Sequence, residues 1–258
     1  MQIDQRPAIK DALLGLLKKY GVWPSFTFQL NREAIGEEGL QLLPGWEFVG
    51  GTLNPRQVPL LTWRTKRPVI ELKNIVGNNI IEDVCLIRCC AFVNSDWTLK
   101  ALLYREFDLV EYIAGHKIIS LHATLTDKRA GNIIARLANG ALCSIEASVQ
   151  LPKGNPTVER HELIARRGVA SDLLVDAQTP QHSIYYYTED RERRYTDTDM
   201  ELFGYEPGEI DHIRAAFQAI SDPSLIKQWS AQHQHLQDLL AQVFASDKKL
   251  QTLNPVIR

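Results

Sequence analysis

Residues 99–148 read LKALLYREFDLVEYIAGHKIISLHATLTDKRAGNIIARLANGALCSIEAS, and the change of period within them decides the fold. In the first part Leu99, Leu102, Leu103, Phe107, Leu109, Val110 and Ile113 recur at helical spacing and cover a wide face. Gly115 then ends the run, as glycine does where a left-handed residue closes a helix. The spacing predicts a helix over 97–114. Beyond it the apolar residues alternate, which predicts strands over 117–125, 132–138 and 141–151. Asn139-Gly140 lies between the last two, the strongest hairpin signal in the chain because both turn positions call for positive φ.

Working outward, Ile9, Leu13, Leu14, Leu16 and Leu17 predict a helix over 8–19 that stops at Gly21. SFTFQL predicts a strand over 25–30. Residues 31–66 carry Gly and Pro at turn density and read as irregular. A short helix over 69–76 leads through Gly77-Asn78-Asn79 to an apolar strand over 84–93. Downstream, strands are expected over 161–166, 169–175 and 183–188. Helices follow over 209–220, ending before Asp222-Pro223, and over 230–244. This order predicts one α+β domain over 1–258: an open, largely antiparallel (mixed) sheet with helices packed on one face and the other face free for dimerisation.

Composition excludes several classes. The chain has 258 residues, 45% of them apolar, enough for one core. Its 29 Lys and Arg against 31 Asp and Glu leave a net charge of -2, so no basic field exists for nucleic acid or anionic lipid. The first 21 residues mix charges with leucines instead of resembling a secretory signal, and no stretch has the ~18 apolar residues of a membrane span. A cytoplasmic location is expected. Cys85, Cys89, Cys90 and Cys143 form no C-x-x-C pair and read as buried, reduced thiols. His233 and His235, two apart on a helix, do not face the same way. No metal site is expected. GWEFVGG at 45–51 lacks the spacing of a phosphate loop, and no G-x-S-x-G marks a serine nucleophile.

Taken together, ALLYREFDLVEYIAG, HKIISLHATL, NIIARLANGALCSIEAS, HELIARRGVASDLL and DHIRAAFQAISDP, preceded by VIELKNIVGNNIIEDVCLIRCCAF, resemble the C-terminal α/β domain of the Gfo/Idh/MocA family, the glucose-fructose oxidoreductase and inositol dehydrogenase-like enzymes. The resemblance spans 69–246, leaving 1–68 as a divergent N-terminal part and 247–258 as a tail. It implies that this domain supplies a substrate wall and, through its open sheet face, a subunit interface.

Two departures shape the functional expectation. The family's N-terminal Rossmann domain binds NAD or NADP through a glycine-rich turn, and no G-x-G-x-x-G exists in this sequence. The Glu-Lys-Pro segment that ends that domain, whose lysine contributes to proton transfer, has a possible trace in Gln5-Arg6-Pro7. Within the helix motif, the resemblance sets Ala101 at the family's aspartate and Arg105 at the histidine that exchanges a proton with the substrate hydroxyl. Asp108 is kept. An arginine stays charged and binds, where a histidine relays protons. No catalytic, cofactor-binding or metal residues are therefore expected, and NAD(P) only through a partner chain.

Arg105 and Asp108, three apart on one helix, are expected to form a local ion pair. The sharper alternative is a ligand cleft of Arg105, Asp108, Lys100, Tyr104, Trp97 and His161, in which Arg105 binds a carboxylate or phosphate of a sugar-like molecule. Arg32 reads as a solvated strand-end residue, Tyr185, Tyr186 and Tyr187 as a strand, and Arg191, Arg193 and Arg194 as a solvated turn. The sequence thus points to a pseudoenzyme, acting as a homodimeric scaffold, an accessory subunit of a full-length paralogue, or a small-ligand binder. Two readings remain beside it. One is an oxidoreductase component whose nucleotide-binding domain is on another chain; the other is an unrelated enzyme centred on His122, His161 and Glu162.

Overall fold

A computed structural model describes residues 8–31, 39–166, 168–172, 184–187, 192–195 and 200–254. The first half runs α1 (Ile9–Lys19), β1 (Phe28–Gln29), β2 (Leu40–Pro44), β3 (Gln57–Leu60), α2 (Arg67–Gly77), β4 (Val84–Asn94) and α3 (Leu99–Ala114). Then come β5 (Ile118–Thr126), β6 (Ala130–Leu137), β7 (Leu142–Leu151), β8 (Val158–Ala165), β9 (Gly168–Ser171), β10 (Ile184–Tyr187), β11 (Glu192–Tyr195), α4 (Pro207–Ser221) and α5 (Ser224–Lys249).

The main sheet has six strands in the order β5-β6-β7-β4-β8-β9. All its pairs are antiparallel except β4 with β7, which run parallel from Leu86↔Leu142 onward. Alternation along each strand sends one set of side chains under the helices: Ile87, Cys89, Ala91 and Val93 of β4, and Cys143, Ile145, Ala147 and Val149 of β7, are buried. The opposite set, including Arg88, Cys90, Phe92, Ser144 and Glu146, is half-buried, and Ile134 and Leu142 are exposed. The expected one-sided α+β sheet is therefore present.

Helix α3 is the hub of the covered face. Thr98 caps it, its hydroxyl accepting the N–H of Ala101 at 3.1 Å, and Gly115 closes it at φ +70°. It packs on β4 and β7 and is flanked by α2 and α5, so that even its polar residues Arg105, Glu106, Asp108 and Glu111 are buried. Helix α5 lies along β5, and Leu253 beyond it pairs with Leu121.

The structure corrects several expectations. Residues 31–66 are not simply irregular: β2 and β3 build a second, parallel sheet in the order β1-β2-β3, with 3-10 turns at Gly45–Phe48 and Thr62–Thr65. Pro59 lies in β3, an edge strand of that sheet, where a missing N–H is tolerated. The strand expected over 25–30 is reduced to Phe28–Gln29. The last helix is longer than 230–244, starting at Ser224, whose N–H is received by the Asp222 carboxylate at 3.0 Å. At the Asn139-Gly140 turn only Gly140 has positive φ; paired positive φ values occur instead at Asp127 and Lys128, between β5 and β6. Cys85 is exposed and Cys90 half-buried, so only Cys89 and Cys143 are the buried thiols expected. Of the strand expected over 169–175, β9 accounts for the part up to Ser171; residues 173–175, Arg6, Arg32, Arg191 and the side chains of Tyr185, Tyr186, Tyr187, Arg193 and Arg194 lie outside the described residues. Among the described residues no helix is long and apolar enough to cross a membrane.

Candidate functional site: the buried polar face of helix α3

The polar side chains of α3 divide among three directions because residues three or four apart share a face while neighbours do not. Arg105 points toward β8. Its Nε donates to Glu106 Oε1 at 2.8 Å, and its Nη1 donates to Glu159 Oε1 at 2.5 Å. The guanidinium also sits 5.4 Å from the centre of the Trp97 ring. Glu159 is shared, since Lys66 Nζ lies 3.3 Å from its other oxygen. Glu106 Oε2 is 3.0 Å from His161 Nε2, and His161 Nδ1 is 2.5 Å from Asp172 Oδ2. The result is a chain of charges, Lys66–Glu159–Arg105–Glu106–His161–Asp172, that runs from a partly exposed rim into the core.

The electrostatics follow from that pairing. Burial acts to lower the Arg105 and His161 values, but Glu106 with Glu159, and Glu106 with Asp172, outweigh it and raise both, His161 to well above the ordinary imidazole range. Burial acts to raise Glu159, yet Arg105 and Lys66 hold it at about 2. Asp211 on α4, facing Lys66, Arg214 and Glu159, is pushed up to about 6, mainly by burial.

Asp108 does not pair with Arg105. Its carboxylate turns the other way and accepts from Trp63 Nε1 (2.7 Å), Arg64 Nε (2.8 Å) and Nη2 (2.6 Å), and Gln232 Nε2 (3.0 Å). Glu111, one turn on, gathers His235 Nε2 at 2.7 Å, Lys117 Nζ at 2.9 Å and the Ile118 N–H at 2.9 Å. The expected local pair is replaced by two separate networks because each residue finds a better-placed partner on another element. Tyr104 takes a third direction, its hydroxyl 2.8 Å from His233 Nδ1, with Phe48 edge-on to the imidazole. Burial drops His233 to about 4, so the ring is neutral.

Of the six residues proposed for a ligand cleft, the structure therefore unites Arg105, Trp97 and His161 and separates the rest. Lys100 is exposed and sits over the Phe244 ring, while Tyr104 and Asp108 serve other networks. Arg105 itself is only 4% exposed and holds two carboxylates. The His122, His161 and Glu162 grouping is not formed. His161 faces the helices, Glu162 lies on the open face near Arg88 and Arg160, and His122 is on β5, four strands from β8 and roughly 19 Å away at ~4.8 Å per strand. Sequence reasoning missed Glu106, Glu159, Lys66 and Asp172; of these, Glu106 carries a local signal, a charge inside the apolar pattern of α3.

No family profile matches the sequence, and no curated protein matches it. Solved structures do. A putative myo-inositol dehydrogenase from Sinorhizobium meliloti superposes with a TM-score of 0.56 at 17% identity, over 78% of this chain and 66% of its own. An oxidoreductase domain protein from Kribbella flavida gives 0.57 at 16% identity, over 78% and 66%. The scyllo-inositol dehydrogenase from Lactobacillus casei, solved with NAD(H) and scyllo-inositol bound, gives 0.54 at 14% identity, over 77% and 64%.

The chain has the Gfo/Idh/MocA fold. It spans just under two thirds of the length of these dehydrogenases. Against that fold, the described residues do not fit the diphosphate of a dinucleotide. The parallel strands β2 and β3 run into 3-10 turns instead of a glycine-rich helix start. Gly45, at the first of those turns, is already filled by Tyr104, whose hydroxyl lies 2.7 Å from where a Cβ would stand.

Proposed function

We propose that the chain is a non-catalytic member of the Gfo/Idh/MocA fold, working as a dimerising scaffold or accessory subunit. The observation that carries this reading is Arg105. It occupies the position that the resemblance assigns to the proton-exchanging histidine, it is buried, and two carboxylates hold it charged. A guanidinium held charged cannot alternate between acid and base near neutral pH. The open sheet face supports the scaffold role. It combines apolar Phe92, Ile134 and Leu142 with the opposed charges Arg88, Arg160, Arg136, Glu146 and Glu162, a mixture able to complement itself across a two-fold axis.

A second reading rests on a different observation. Lys66, Glu159 and Asp211 form the rim of the buried charge chain, and Lys66 is 36% exposed. In a split oxidoreductase, a nucleotide-binding partner chain would close over that rim and its sugar-like substrate would meet Lys66 and Asp211.

Light scattering on the purified chain, together with NAD(P)H fluorescence titration, separates the two. A homodimer with no nucleotide binding is the expected result. A monomer that binds NAD(P)H only when a Rossmann-bearing protein from the native source is added would replace the first reading with the second.

A further inference from the structure

Cys89 of β4, Glu106 of α3 and His161 of β8 meet in the core beneath the charge chain. Each is at most 2% exposed, and one ligating atom of each lies within 4.8 Å of the others. A thiol, a carboxylate and an imidazole make a donor set suited to a borderline-soft divalent ion, zinc above all. Zinc bonds of about 2.0–2.3 Å put tetrahedral ligand atoms roughly 3.3–3.8 Å apart, so closure around an ion takes a movement on the order of 1 Å.

The surroundings favour such an ion. Asp172 holds the imidazole from behind: Oδ2 is 2.5 Å from Nδ1, and Oδ1 accepts the backbone N–H of His161 at 2.7 Å. Once Nε2 gives up its proton to an ion, the proton left on Nδ1 is held by Asp172, the support that metal-bound histidines commonly have. Glu106 is divided in the same sense. Oε1 stays with Arg105, and Oε2 is hydrogen-bonded to His161 Nε2 at 3.0 Å, a contact that an ion between the two atoms would replace.

We propose that Cys89, Glu106 and His161 supply three ligands to a zinc-class divalent ion, with Asp172 as the outer carboxylate. Because all three donors are buried, the ion enters as β4, α3 and β8 assemble, and it ties those elements together.

The test is to produce the whole chain in medium supplemented with zinc or cobalt, dialyse it against EDTA, and read metal content by mass spectrometry and the cobalt form by absorption. About one equivalent per chain is expected, with a thiolate-to-cobalt charge-transfer band. Cys89→Ala, which leaves the Arg105–Glu106–His161–Asp172 chain in place, should lose at least about nine tenths of the metal, while Cys90→Ala keeps it. If Cys89→Ala fails to fold, the charge-transfer band of the unaltered chain reports the thiolate directly. Wild-type protein that folds without retained metal, a cobalt form without the thiolate band, or a Cys89→Ala protein that holds as much metal as wild type would overturn the proposal.

Discussion

Asp108 is fully buried and holds Trp63, Arg64 and Gln232 at once. Removing it strands a guanidinium in a largely buried position, so Asp108→Ala should cost about 3 kcal/mol in urea unfolding at pH 7. A loss below 1 kcal/mol would mean that water relieves Arg64. Asp211 tests the rim. Its folded value of about 6 lies above the 3.8 of the unfolded chain, so its contribution favours folding below about pH 4 and is lost as pH rises through about 6. Asp211→Asn should therefore raise stability at pH 7.5, by on the order of 1–2 kcal/mol after allowance for partial solvent contact, and change nothing below pH 4. Calorimetric melts across that range give the answer. Glu159 has the opposite sign. Held at about 2 against an ordinary 4.5, it stabilises the fold above about pH 4.5, and that gain disappears as pH falls toward about 2. Glu159→Gln should accordingly flatten the acid limb of the stability curve.

At the level of elements, α5 shows how polar side chains can fasten a helix. It carries Gln232, His233, His235 and Gln237, polar residues that interrupt the apolar stripe in the sequence. In the fold each has a buried or backbone partner: Glu111 and Asp108 for Gln232, Tyr104 for His233, Glu111 for His235, and the Phe48 and Gly51 carbonyls for Gln237. The helix is thereby fastened to α3 and to the 3-10 turn after β2. Gly45 is the tightest point of that joint. A methyl there would stand 2.7 Å from the Tyr104 hydroxyl and 3.1 and 3.3 Å from its ring. Gly45→Ala should destabilise by about 2 kcal/mol. In a Tyr104→Phe background the loss should shrink by at least about 0.5 kcal/mol, a coupling that a double-mutant cycle measures. Equal losses in both backgrounds would place the strain elsewhere.

For the whole molecule the open sheet face is decisive. Ile134 and Leu142 are 45% and 40% exposed on adjoining strands. Ile134→Lys with Leu142→Asp should convert the expected dimer to a monomer by light scattering while leaving far-UV circular dichroism unchanged, since neither side chain belongs to the covered core. A dimer that survives both substitutions would move the interface off this face.

The sequence by itself determined most of the helices and strands and the one-sided sheet, because helical and alternating periods are set by residues a few positions apart. Gly115 and the stripe around Leu102 and Phe107 are examples. It did not show the parallel sheet of β1, β2 and β3, whose partners are joined only through long connections dense in Gly and Pro. The polar core was decided by tertiary structure alone. Glu106 finds His161 across 55 residues, and Asp108 finds Arg64 across 44 and Gln232 across 124. A buried charge takes whichever opposite charge or donor the assembled fold brings within hydrogen-bond reach, and no local spacing encodes that choice.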